Sequence, residues 1–151
     1  MKATVGFIFF MLFLAGLAFV NLKGMQDASD YEVTSADQLT DVAWRLTNLG
    51  EMNVEPDTRM SIRFEVAGKM GGDAGCNRFF GSYELTEGKL VFGPVAGTRM
   101  ACPEPANSLE ISFLEALSTT STAARAESRL ALKDEQGLTV LKFVAIERDE
   151  N

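Results

Sequence analysis

Two residues in this 151-residue chain could do sulfur chemistry, Cys76 and Cys102. They open and close the glycine-punctuated stretch "CNRFFGSYELTEGKLVFGPVAGTRMAC". The chain has no histidine, so a Ser-His-Asp or Cys-His site is impossible and the commonest general base is absent. Two cysteines without carboxylates do not complete a tetrahedral zinc site. Their spacing is unlike C-x-x-C and no base lies beside either, which argues against a redox-active pair. A structural bridge and two separate buried thiols remain.

The residues beside the cysteines carry the other candidate chemistry. Asn77 and Arg78 follow one, and Thr98 and Arg99 precede the other. Brought together by a bridge, the four would make a small anion-recognising patch, because guanidinium forks match carboxylates. The competing and favoured expectation is structural. In it Asn77 and Thr98 bond the local backbone and each arginine pairs with a nearby acid. Glu104, Glu110 and Glu115 could supply a hydrolase's carboxylate pair, but carboxylates on helices are usually solvated. The segment "GKMGGDAG", residues 68–75, lacks a lysine after its last glycine and so is not a phosphate-cradling loop. No catalytic, cofactor-binding or metal-ligating residue is assigned, and no cofactor is expected.

The elements that must position these residues follow from charge and pattern. There are 21 acidic against 14 basic residues, a net charge of −7, and no run of Lys or Arg. Such a surface repels phosphate backbones, so nucleic-acid binding is not expected. At the start, Lys2 precedes an uncharged apolar run to Val20. This is the pattern of an export signal, and its length also suffices for an uncleaved membrane anchor. "LAGL", Leu14–Leu17, is similar to a bacterial lipobox with Leu17 where the lipid-bearing Cys would stand, so no lipid attachment is expected. Residues 1–22 are read as signal or anchor, 23–40 as a flexible acidic linker, 41–147 as the domain and 148–151 as a tail.

The domain reads as strands around one helix. Trp44 and Leu46 alternate with Arg45 and Thr47, and Ile62, Phe64 and Val66 alternate with Ser61, Arg63 and Glu65. "GSYELTEGKLVFG" predicts a hairpin turning at Glu87-Gly88, and "LALKDEQGLTVLKFVAI" another with its loop at residues 134–137. The last strand is apolar on both faces, as in a closed or strongly curved sheet. "NSLEISFLEALS" predicts a helix capped by Asn107 with Glu110 at the capping-box spacing, and a core stripe of Leu109, Phe113 and Leu117. Trp44 is expected in the core near that stripe. The fold class is therefore α+β, an antiparallel sheet curled into a partial barrel with one main helix packed against it.

"GCNRFFGSY", "LVFGPVAGTRMAC" and a helix carrying "FLEAL" together resemble the META domain, also called the HslJ-like domain. Trp44-x-Leu46 and the closing Leu130-x-Leu132-x-Asp134-x-x-Gly137 belong to the same resemblance, which covers roughly residues 40–146. It implies a compact α+β domain, often exported or lipid-anchored, with no established catalytic activity. In an oxidising envelope two cysteines in one small domain usually pair. Closing a loop of about 27 residues would add roughly 3.5 kcal/mol in the chain-entropy model. The expected function is a non-catalytic periplasmic or membrane-anchored module for binding or stress tolerance. A small apolar-ligand carrier and a carboxylate-based hydrolase are the alternatives. A monomer is expected, with an envelope protein or component as partner and membrane contact through the N-terminal segment if it is retained.

Overall fold

The computed structural model describes residues 31–146. The expected signal or anchor, the first part of the expected linker (23–30) and all of the expected tail (148–151) lie outside the described residues. In chain order the elements are β1 (Tyr31–Glu32), α1 (Asp37–Thr40), β2 (Ala43–Leu49), β3 (Met52–Asn53), a 3-10 turn (Pro56–Thr58), β4 (Ser61–Glu65), β5 (Lys69–Asp73), β6 (Arg78–Thr86), β7 (Lys89–Phe92), β8 (Ala96–Gly97), α2 (Ala106–Thr119), β9 (Thr122–Ala126), β10 (Arg129–Lys133) and β11 (Thr139–Ile146). All the pairings are antiparallel.

The eight strands β9-β10-β11-β2-β4-β5-β6-β7 run side by side, and β7 meets β9 again to close the ring. The closing seam is narrow. Lys89 pairs with Thr122, and the Leu90 N–H donates to the Ser121 carbonyl at 2.8 Å. Strand β1 adds to β9 beside this seam, with Tyr31 opposite Arg125 and Glu32 opposite Ala124. Closure removes most of the free sheet edge that an open sheet would present.

Alternation decides what fills the ring. Trp44, Leu46, Ile62, Phe64, Leu130, Leu132, Leu141 and Phe143 are all buried, and their strand neighbours point outward. Phe64 sets its ring edge-on to Tyr83, with centroids 5.1 Å apart. From α2, Phe113 packs on Phe79 at 5.5 Å and on Phe143 at 6.4 Å, and Leu117 is fully buried beside it. The helix is thus the lid on a core whose walls are strand residues. Val66, expected to share the inner face of Phe64, is 81% exposed because β4 ends at Glu65 and the chain turns there.

Two local expectations give way. Residues 31–40, expected as flexible linker, are part of the fold. Val33 and Leu39 are fully buried, and the Leu39 carbonyl accepts the Trp44 indole N–H at 2.9 Å. The helix cap also differs. Asn107 lies inside α2 and caps nothing. Instead Glu104, upstream of the helix, accepts from the Ser108 N–H and hydroxyl and from the Asn107 amide. Glu110, freed from the capping box, is used elsewhere.

Candidate functional site

Cys76 and Cys102 form a disulfide, with Cα atoms 6.2 Å apart. Cys76 lies in the turn between β5 and β6. Gly75, at φ +96°, makes that turn, and its N–H is held by the Asp73 carboxylate at 2.9 Å. Cys102 lies on the approach to α2. The bridge therefore ties the sheet to the segment that launches the helix. A disulfide of this kind fits an oxidising compartment.

Next to the bridge, Asn77 is 7% exposed and engaged on every side. Its N–H donates to Glu110 Oε2 at 2.9 Å, and its Nδ2 reaches both Glu110 oxygens at 3.1 Å and the Met100 carbonyl at 3.2 Å. Its Oδ1 accepts from the Thr98 hydroxyl at 2.7 Å and from the Met100 N–H at 2.8 Å. The Thr98 hydroxyl accepts in turn from the Arg78 N–H at 3.2 Å. So Asn77 joins three segments: the β5–β6 turn, the β8 segment and α2. β8 lies so close to β6 that a Cβ on Gly97 would sit 2.7 Å from the Arg78 carbonyl oxygen, which requires glycine there.

Of the four polar residues flanking the cysteines, the structure therefore separates two pairs. Asn77 and Thr98 are internal fasteners. Arg78 and Arg99 are exposed, beside a shallow groove of about 450 Å³ between β8 and α2 that Val95 and Leu114 also line. Among the described residues, neither arginine has a carboxylate oxygen within 4.0 Å, so the expected pairing of each with an acid is not formed. Sequence spacing could not show this, because Glu110, an acid that the fold brings to this corner, is bound by Asn77 from 33 residues away.

The other carboxylates are equally committed or solvated. Hydrogen bonds from Ser108, then Asn107, hold the Glu104 carboxyl below its ordinary range although it is fully exposed. Glu115 is exposed on the outside of α2. Burial raises the Tyr83 hydroxyl pKa, and that hydroxyl donates to the Glu65 carbonyl at 2.9 Å. Among the described residues no group of three or more Cys, Asp or Glu could hold a metal. No helix among them is long and apolar enough to cross a membrane.

Arg125 was not singled out by the sequence. It is paired with Tyr31 and Leu130 in the sheet and lies 5.0 Å from the centroid of the Trp44 ring. Its guanidinium meets both Asp41 oxygens, at 3.0 and 3.1 Å, and the Gln38 carbonyl, while Nε donates to the Glu127 carbonyl at 3.0 Å. Arg125 thus fastens the N-terminal segment over the indole.

The described residues thus form a closed antiparallel barrel with one helix as its lid, stapled by a disulfide at the helix approach. The chain belongs to the META domain family, whose model matches residues 37–147. It is similar to a protein from Burkholderia xenovorans solved by NMR, with TM-score 0.64 and 29% identity over 80% of this chain and 93% of that one. A second protein solved by NMR has TM-score 0.61 and 26% identity, covering 74% and 95% of the two chains. The crystal structure of a DUF4847 family protein from Bacteroides vulgatus shares the fold at 16% identity, with TM-score 0.55 over 75% and 98%. No curated protein matches the chain.

Proposed function

We propose that this chain is a non-catalytic envelope module that binds an acidic segment of another envelope component through Arg78 and Arg99. The observation that carries this reading is the unequal treatment of the four residues beside the disulfide. Asn77 and Thr98 are spent on rigidity, and the two arginines are left exposed on the segment they make rigid. Preorganised cations lose little freedom on binding, which favours affinity.

The rival readings fit less well. A hydrolase's general acid needs a raised pKa, whereas that of Glu104 is lowered and Glu110 is tied to Asn77. A carrier needs interior space, and the ring is occupied by its own Trp44, Phe64, Leu90, Phe113 and Phe143. Export is supported by the disulfide together with the apolar run in residues 3–20. Residues 1–40 fused to a reporter active only after export should light up; a reporter that stays cytoplasmic overturns the envelope part.

Binding is tested in the full chain by placing a photo-crosslinker at Val95, beside the groove. A discrete crosslinked partner in the envelope, lost when Arg78 and Arg99 are both changed to Gln, supports the reading. Crosslinking that is unchanged by the double substitution and by added salt rejects it.

A further inference from the structure

The sequence has no run of basic residues, yet the sheet register gathers three. Across β10, β11 and β2, Arg129 pairs with Val144, and Val144 pairs with Arg45. Paired residues share a face, so both arginines flank Val144 on the outside of the barrel at about 5 Å between Cβ atoms. Lys142, two residues from Val144, lies on that same face and is diagonal to both arginines, at roughly 7–8 Å. Between Lys142 and Phe143 the register slips by one residue, and Thr47, the extra residue on β2, donates its hydroxyl to the Lys142 carbonyl at 3.1 Å. Such bulges bend a strand and re-aim its side chains.

The same face is hollowed. A depression of about 430 Å³ has Ala124, Ala131 and Val144 among its lining, and Arg129, Lys142 and Asn48 around it. Small side chains on the floor make the hollow. Its size falls within the roughly 300–1,000 Å³ of small-molecule sites. Asn48 gives one amide hydrogen to Asn53 at 2.8 Å, which leaves its other hydrogen for a further partner.

Among the described residues no carboxylate oxygen lies within 4.0 Å of Arg45, Arg129 or Lys142. Lys142 lies within about one Debye length, ~8 Å at physiological salt, of each arginine, and such like charges repel one another unless an anion sits among them.

We propose that this hollow binds a phosphate monoester of a small hydroxylated molecule, held by Arg129 and Lys142 in its lining, with Arg45 outside the lining on the same face adding positive charge. A phosphate monoester carries about −1.5 to −2 charge near neutral pH and offers three acceptor oxygens, a closer match to the paired cations of the lining than a single carboxylate. Asn48 faces the ligand's hydroxyl groups. The site is separate from the Arg78–Arg99 groove and does not depend on it.

The test is an NMR titration of the isotope-labelled full chain in neutral detergent with glycerol phosphate, with short-chain phosphatidic acid as a second arm and glycerol as control. Saturable shifts at the Ala124, Ala131 and Val144 amides are expected with the phosphates and not with glycerol. Arg129→Gln and Lys142→Gln should each weaken binding about tenfold, as loss of one charge-assisted hydrogen bond implies. Arg63→Gln, on β4 outside the hollow, should leave it unchanged. Equal affinity in the two phosphate arms supports the site with a soluble ligand, and much tighter phosphatidic acid supports it with a lipid headgroup. No saturable shift with either, or shifts that persist in the Arg129→Gln/Lys142→Gln double variant, would overturn the proposal. All of these side chains are on the outer face, so the variants should keep the wild-type spectrum elsewhere.

Discussion

Asn77 and Glu110 are 33 residues apart and joined by three hydrogen bonds, one from the Asn77 main chain and two from its amide, at 2.9–3.1 Å. This contact, as much as the disulfide, holds α2 to the sheet. Asn77→Ala would leave the half-buried Glu110 carboxylate only the main-chain N–H of residue 77 and free the Met100 and Thr98 partners. A loss of about 2–3 kcal/mol is expected, since hydrogen bonds to charged groups contribute roughly 1.5–3 kcal/mol each. Urea unfolding of the two proteins measures it. A change within a few tenths would mean that water replaces Asn77 at no cost.

Removing the disulfide should act on the same junction. Cys76→Ser with Cys102→Ser is expected to cost about 2–4 kcal/mol, the usual range for a native bridge. Because the Asn77–Glu110 contact closes nearly the same loop, the double cysteine variant combined with Asn77→Ala should lose more than the sum of the two. Double-mutant-cycle analysis of melting curves reads this coupling. Strict additivity would show that the bridge and the contact act independently.

Which parts of this were legible in the sequence follows from range. Alternation is local, so Trp44, Leu46, Ile62 and Phe64 could be placed in the core, and Glu87-Gly88 could be placed in a turn. Both of those turn residues do adopt positive φ, 51° and 81°. The helix stripe of Phe113 and Leu117 was equally plain. Residues 31–40 were misread because only two apolar side chains, Val33 and Leu39, commit them to the fold. Their partners Trp44, Ala123 and Arg125 lie on other strands. The capping box failed because the sequence spacing of Asn107 and Glu110 is satisfied by chance, while Glu104 and Asn77 compete for those groups in three dimensions. The outer trio of Arg45, Arg129 and Lys142 spans nearly a hundred positions and exists only once the strand register is set.

The pH dependence should have two limbs. Ser108 and Asn107 lower the Glu104 pKa, so this carboxylate's contribution is present above the ordinary carboxylate range and is lost as pH falls through the lowered value. Burial raises the Tyr83 pKa, so its contribution is present below about 10 and declines as pH rises above that, where only the unfolded chain ionises. Glu104→Gln should flatten the acid limb of a melting-temperature profile, and Tyr83→Phe the alkaline limb. A Tyr83→Phe profile that falls as steeply as wild type above pH 10 would assign that limb to another group.

The last prediction concerns Arg125, which combines a planar fork on Asp41, two main-chain carbonyls and the face of Trp44. Its side chain is 22% exposed and that of Asp41 is 50% exposed, so solvent screens the ion pair and most of the value lies in geometry. Lysine keeps the charge but has no fork and cannot reach both Asp41 oxygens and the Gln38 carbonyl together. Arg125→Lys should therefore cost about 1–2 kcal/mol, nearly as much as Arg125→Ala, whereas Asp41→Asn should cost under about 1 kcal/mol. The damage should be local. Amide exchange at Val33 and Leu39 should speed up far more than at Ile62 or Phe143, because Arg125 fastens residues 31–41 and not the barrel wall. Trp44 emission should shift to the red as the indole face opens to water. Uniformly faster exchange across the barrel would show instead that Arg125 supports the whole fold, and an Arg125→Lys protein equal to wild type would reduce the interaction to simple charge.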